Sequence, residues 1–248
     1  MNLILNLFFG LLLLSCKGNS EKSPFTRGQV LTTKPTHGLW NDVLQKYVDD
    51  MGNVNYVGIK NDPACLDDYL DHLSKNPPST AWGKNEKLAY FINLYNAATV
   101  KLIVDHYPVK SIKDIPNRWK REWIKVGDNT LSLNDIEHEI LRKMDEPRIH
   151  FAIVCASYSC PKLSNVAFTE ENMEEMLSKA ASDFVNDKKR NRFENGTARL
   201  SKIFQWYKGD FTKQSSLLDY INLYLDNPVA KDATLEYLDY DWSLNEAK

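Results

Sequence analysis

Cys155 and Cys160 stand at either end of Cys155-Ala-Ser-Tyr-Ser-Cys160, followed by Pro161-Lys162-Leu163. A thiol becomes a nucleophile when a neighbour takes or stabilises away its proton, and an imidazole is a common neighbour for that purpose. Two histidines lie close upstream, His138 and His150. The chemistry these types suggest is a cysteine hydrolase or transferase acting on amide-type substrates. Cys155 would be its nucleophile and His138 or His150 its base. Asn93 and Asn96 in Tyr90-Phe-Ile-Asn-Leu-Tyr-Asn-Ala97 are three apart and share one helical face, so either amide could orient a base or receive an oxyanion. Tyr95, Ser157 and Ser159 are the candidate binding groups around them.

Each of these residues also has a plainer reading. Two asparagines amid apolar residues of a helix often tie a loop to it, and that role outweighs catalysis on the sequence alone. On a helical wheel His138 falls roughly 200° from Ile136, away from the main core, and would be solvated unless a second surface closed over that flank. Alternation puts His150, Ala152 and Val154 on one strand face and Phe151, Ile153 and Cys155 on the other, which disfavours a direct His150–Cys155 pair without a bulge. Cys155 could be buried and Cys160 structural, or the two could form a disulfide. A redox pair ranks last because the spacing is not CxxC. The absence of CxxC and of HExxH argues against zinc, so neither metal nor cofactor is expected.

The elements that must carry these residues read as follows. Leu39 to Met51 has helical spacing and stops at Gly52; Leu66 to Leu73 is a second helix ending before Pro77-Pro78. Residues 84–107 are the longest helix, closed by Pro108. Residues 122–133 are a hairpin turning at Gly127-Asp128-Asn129, and Ser132 with Asp135 opens a helix to Met144. The apolar run Ile149 to Cys155 predicts a central strand buried on both faces. Thr169 to Phe184 is a helix, Asn195-Gly196 a hairpin turn, Leu217 to Leu225 a last helix and 234–240 a last strand. The sum is an α+β, helix-rich single domain around a small antiparallel sheet.

The chain has 248 residues and a net charge of −2, with acids and bases interspersed, so it carries no electrostatic footprint for nucleic acid. Residues 3–14 are an apolar run too short to span a bilayer comfortably, and the run stops at Leu13-Leu14-Ser15-Cys16. That pattern resembles a bacterial lipobox. It predicts a signal peptide over 1–15, lipidation at Cys16, a flexible tether over 16–35 and a globular domain over 36–248. Such a protein would sit on the bacterial cell envelope through its lipid, at the outer membrane rather than the inner, with a peptide, glycan or protein as its other partner.

Six stretches resemble one known family, the domain of unknown function 547 family. They are Trp40 to Tyr56 with Gly52-Asn-Val-Asn-Tyr56, then AYFINLYNAATVKLI, LSLNDIEHEILR, PRIHFAIVCASYSCPKL, LSKIFQWYKGDF and YLDYDWSLN, in order over most of residues 38–246. The resemblance implies an α+β fold similar to papain-like and transglutaminase-like cysteine enzymes. There, a helix packs its N-terminal end against a strand that begins with histidine; residues 88–103 and His150 would correspond. This sequence departs from that pattern, because the helix offers Asn93 and Asn96 where such enzymes place cysteine. Either Cys155, His138 and His150 converge in a rearranged site, or the same groove binds a peptide, glycan or protein without catalysis.

Overall fold

The computed structural model describes residues 34–247. The predicted signal peptide, Cys16 and most of the tether lie outside them. Helix α1 (Gly38–Tyr47) buries Trp40, Val43 and Leu44. A turn follows in which Val48 and Val54 pair as an antiparallel bridge. Gly52 in that turn has φ +78°, and a Cβ there would lie 2.8 Å from backbone atoms of Lys162 and Leu163. Only glycine lets the turn press this closely on the chain just past Cys160. Helices α2 (Tyr56–Asn61) and α3 (Ala64–Lys75) come next.

Helix α4 (Lys84–His106) is buried almost without interruption from Leu88 to Val104. A helix apolar around its whole circumference belongs in the middle of a domain, and the rest of the chain wraps it. The first hairpin, β1 (Ile124–Val126) with β2 (Asn129–Leu131), turns at Gly127 as its sequence predicts. The second, β3 (Arg192–Glu194) with β4 (Thr197–Leu200), turns at Asn195-Gly196, both at positive φ. These are the backbone angles a two-residue hairpin of this type requires. Strand β5 (Thr234–Tyr237) then joins β4 in parallel, so the three-stranded sheet is mixed. The fold is α+β and helix-rich.

Two segments depart from their predicted form. Ser132 and Asp135 make the expected cap, with Ser132 N and Oγ donating to Asp135 Oδ2 at 2.9 and 2.6 Å. The helix after it is a π turn over Asp135–Ile140 and a 3-10 turn over Leu141–Met144, ended by Asp145 at φ +55°. The predicted central strand is absent. Residues Pro147–Phe151 form a 3-10 helix, and 152–168 continue as loop and turns. The run was apolar because it lies on a seam between two cores. Ile149, Ala152 and Ile153 pack with α1–α4. Phe151 points the other way, into a cluster of Phe184 from α5 (Met173–Asn186), Phe204 from α6 (Lys202–Trp206), Phe211 from α7 (Lys208–Phe211) and Leu217 from α8 (Leu217–Asn222). With His150 in a 3-10 turn, the implied papain-like strand histidine has no strand to occupy.

Candidate active site

The seam opens on one side as a cleft of about 520 Å³, and both predicted histidines and both predicted cysteines line it. Tyr95 from α4 forms its floor with Glu137, His138, His150 and Ile153. Ile203, Trp206 and Tyr207 from the α6–α7 corner face them, and Trp119, Tyr240 and Trp242 close the rim. The second surface that His138 needed is therefore present. The wider π winding also moves its side chain out of the phase of an ordinary helical wheel.

Cys155 and Cys160 are both free thiols, with sulfurs 2.7 Å apart. Cys155 is half-buried and Cys160 buried. The Cys155 backbone N–H donates to Cys160 Sγ at 2.9 Å. The Ser157 hydroxyl lies 2.9 Å and the Tyr240 hydroxyl 3.2 Å from Cys155 Sγ, and Ser157 Oγ donates to Tyr240 at 2.9 Å. Burial pushes the Cys160 thiol up, but hydrogen bonds from Cys155, Tyr240 and Ser157 outweigh it and bring it down to about 7. Burial, then the bond to Cys160 and its charge, drives Cys155 well up. The two sulfurs therefore titrate as one coupled pair, with the charge favoured on Cys160 over Cys155.

The loop is shaped for this contact. Ala156, between Cys155 and Ser157, is buried in the left-handed region at φ +56°. A non-glycine residue there costs of order 1–3 kcal/mol, a strain the surrounding structure must hold. Residues 241–245 do so, laid along 156–159. Tyr158 N donates to Ser243 O at 2.7 Å, Ser159 N to Asp241 O at 3.2 Å and Asn245 N to Ala156 O at 3.3 Å. Ser159 Oγ accepts from Asp241 N at 2.9 Å, so this predicted binding serine fastens the strap and does not line the cleft.

Neither histidine is bonded to a sulfur among the described residues. His150 Nε2 donates to Asp210 Oδ2 at 2.8 Å, and its ring stacks on Tyr207 with centroids 3.9 Å apart. Arg142 grips Asp210 with two nitrogens, at 2.6 and 3.0 Å, and its third donates to His138 Nδ1 at 2.9 Å. Because a guanidinium only donates, His138 Nδ1 accepts and its hydrogen sits on Nε2. Burial holds the His150 imidazole below its ordinary value, with Asp210 opposing. Hydrogen bonds from His150 and Arg142 keep the Asp210 carboxyl far below the carboxylate range. Glu137 accepts from Tyr95 at 3.1 Å and from Tyr207, and burial pushes both phenols up.

Asn93 and Asn96 are where the plainer reading put them. Asn93 bonds both the carbonyl and the N–H of Phe168, at 2.7 and 3.1 Å. Asn96 bonds Ala152 O and Val154 N, both at 2.9 Å. Both amides are fully engaged by backbone and neither lines the cleft. Tyr95 does line it, and Ser157 reaches it through Cys155.

Residues 79–185 match the family model described as "Protein of unknown function, DUF547". That segment is similar to this family over 79–185. No curated protein and no solved structure matches the chain. The matched segment supplies Tyr95, Glu137, His138, Arg142, His150, Cys155 and Cys160. Tyr207, Asp210, Tyr240 and Trp242 come from beyond it, so the cleft is built by more of the chain than the DUF547 match. Neither type nor spacing marks Glu137, Arg142 or these four as site residues. The available signal was the density of aromatic and acidic residues in LSKIFQWYKGDF and YLDYDWSLN, which entered only as matching stretches. Among the described residues no helix is long and apolar enough to cross a membrane.

Proposed function

We propose that the cleft is a thiol site for acyl transfer from amide-type substrates, with Cys155 as nucleophile and Cys160 as its proton partner. The observation that carries this is the 2.7 Å contact between a half-buried and a buried sulfur on the wall of an open cleft. The Cys160 thiolate takes the Cys155 proton as Cys155 Sγ attacks the carbonyl carbon. The C–N bond then breaks, and the amine leaves with the proton returned from Cys160. The thioester on Cys155 is opened by water or by an acceptor amine, whose proton passes through Cys160 to the departing Cys155 sulfur. Cys160 thus takes the place of an imidazole base. His138, fixed by Arg142, leaves its Nε2–H on the cleft floor to bond substrate, and His150 with Asp210 holds Arg142 and Tyr207 in place.

Iodoacetamide labelling followed by peptide mapping tests the reading. Cys155 is alkylated at neutral pH, Cys155→Ala removes the label and turnover, and Cys160→Ala slows reaction at Cys155 about 10²-fold or more. A Cys155 thiol that resists alkylation sinks the proposal and leaves the same groove as a non-catalytic binding site for a peptide, glycan or protein. The sulfur contact also favours a second reading, dithiol–disulfide exchange with a substrate disulfide. In that case reduction of insulin disulfides would need both cysteines, and Cys160→Ala would trap a mixed disulfide on Cys155.

We further read the protein as held on the cell envelope by lipid at Cys16, from the apolar run and the cysteine that ends it. Incorporation of radioactive palmitate that survives Cys16→Ala would contradict this.

A further inference from the structure

The rim of the cleft has a character of its own. Residues 112–114 form a 3-10 turn, and the chain then runs past Asn117, Arg118, Trp119 and Lys120, all four lining the cleft. Among the described residues neither Arg118 nor Lys120 has a carboxylate partner. Arg118 spends one nitrogen on the Lys113 and Ile115 carbonyls, at 3.2 and 3.4 Å. Its Nε is buried and has no acceptor. Lys113 adds a third positive charge, 5.3 Å from the centre of the Trp242 ring. Three acids of the surrounding segments are bonded elsewhere. Asp114 takes the N–H groups of Lys110 and Ser111, and Asp241 takes Ser243. Glu137, the carboxylate lining the cleft, is held by two phenols.

Next to these charges lies an aromatic shelf. Trp206 and Trp242 stack at 5.8 Å, with Tyr240 at 4.8 and 4.6 Å from them. Trp206 is 46% exposed. A flat apolar shelf beside unpaired cations fits a ligand with an apolar face and a negative end. Arg118, anchored through Nη1 and with its guanidinium 5.8 Å from the centre of the Trp119 ring, sets a fixed positive charge beside that shelf.

We propose that Arg118 and Lys120 form an anion subsite, so that the amide substrate of this cleft carries a carboxylate beside an apolar portion resting on Trp206 and Trp242. This rests on the thiol reading above and specifies its substrate class. The two cations raise the local concentration of anions at the sulfurs, and the shelf orients the amide between them.

The test compares alkylation of Cys155 in the full chain by iodoacetate, an anion, and by iodoacetamide, its neutral isostere. The iodoacetate-to-iodoacetamide rate ratio exceeds that of free glutathione, falls about threefold in Arg118→Gln and again in Lys120→Gln, and collapses towards the glutathione ratio in high salt. Lys46→Gln, a remote surface change, leaves the ratio where it was. A ratio indifferent to Arg118 and Lys120, with Cys155 still alkylated, overturns the anion subsite and spares the thiol site. If iodoacetamide does not label the wild type, the thiol reading fails and with it the amide substrate. The charge claim is then judged by quenching of tryptophan fluorescence, where iodide must outperform acrylamide less in both variants than in the wild type. Equal quenching ratios overturn it.

Discussion

Arg190 Nε donates to the carbonyl of Cys160 at 2.7 Å, and the same guanidinium reaches Tyr158 O at 3.0 Å while pairing with Asp187. One side chain beyond the thiol loop therefore holds two of its carbonyls and fixes how the loop sits under Cys155.

Arg190→Gln should leave the domain folded and slow alkylation of Cys155 by about tenfold, since small displacements of a reacting group cost rates of this size or more. Arg190→Lys keeps the charge but cannot fork between two carbonyls, and should behave like the glutamine variant. Circular dichroism alongside labelling rates checks both; a lysine variant with wild-type rates would show that charge alone matters.

Tyr240→Phe removes a hydroxyl that supports the thiolate. The Cys160 thiol, held at about 7, should move up by roughly one unit when a hydrogen bond to its charged form is lost. The midpoint of the pH–rate profile for iodoacetamide then shifts to the alkaline side. A midpoint that stays in place would mean the tyrosine contributes nothing to the thiolate.

Asn96→Ala leaves Ala152 O and Val154 N buried without their partner. Each orphaned backbone group costs about 1–3 kcal/mol, so the variant should lose about 2–5 kcal/mol in urea denaturation. Asn93→Ala should fall in the same range, because Phe168 is tied in the same two-bond manner. The amide asparagines are then stability residues, whose effect on labelling follows the fraction folded.

Acid should weaken the fold in two stages. Burial, with His72 nearby, holds His37 down to about 4, and burial likewise lowers His150. Below about 6.5 the unfolded chain takes protons at these positions that the folded one refuses. Stability therefore falls as pH drops from about 6.5 towards 4. Asp210, held low by His150 and Arg142, contributes stability that is full above about 3.9 and is withdrawn below it as the unfolded carboxyl protonates. His37→Gln should flatten the upper stage by on the order of 1 kcal/mol across that window, and Asp210→Asn should flatten the lower. Chemical denaturation at a series of pH values reads both slopes.

The parts of the fold legible in the sequence are those decided locally. Gly127 and Asn195-Gly196 fix hairpins by backbone angles alone, and Ser132 with Asp135 makes its cap whatever helix follows. The run 149–155 forms a 3-10 turn and not a strand because apolar composition records burial and not conformation: a 3-10 turn at a seam buries both sides as a central strand does. For the site, the cysteines and histidines were found by type. Asp210 and Tyr207, which hold His150, and Tyr240, which joins the sulfurs, sit far along the chain, and nothing in local spacing links them to position 150 or 155. The α/β periodicities also assume regular winding, which the π turn at His138 breaks.

The strap formed by residues 241–245 sets an order of events for a chain emerging from its N-terminal end. Both sulfurs precede Tyr240 by about 80 residues, so they emerge well before the strap that closes over their loop. Through that interval the dithiol lacks the phenol that completes its surroundings, and the left-handed kink at Ala156 has nothing laid against it. The thiol loop therefore reaches its folded shape only once the last residues of the domain are laid against it.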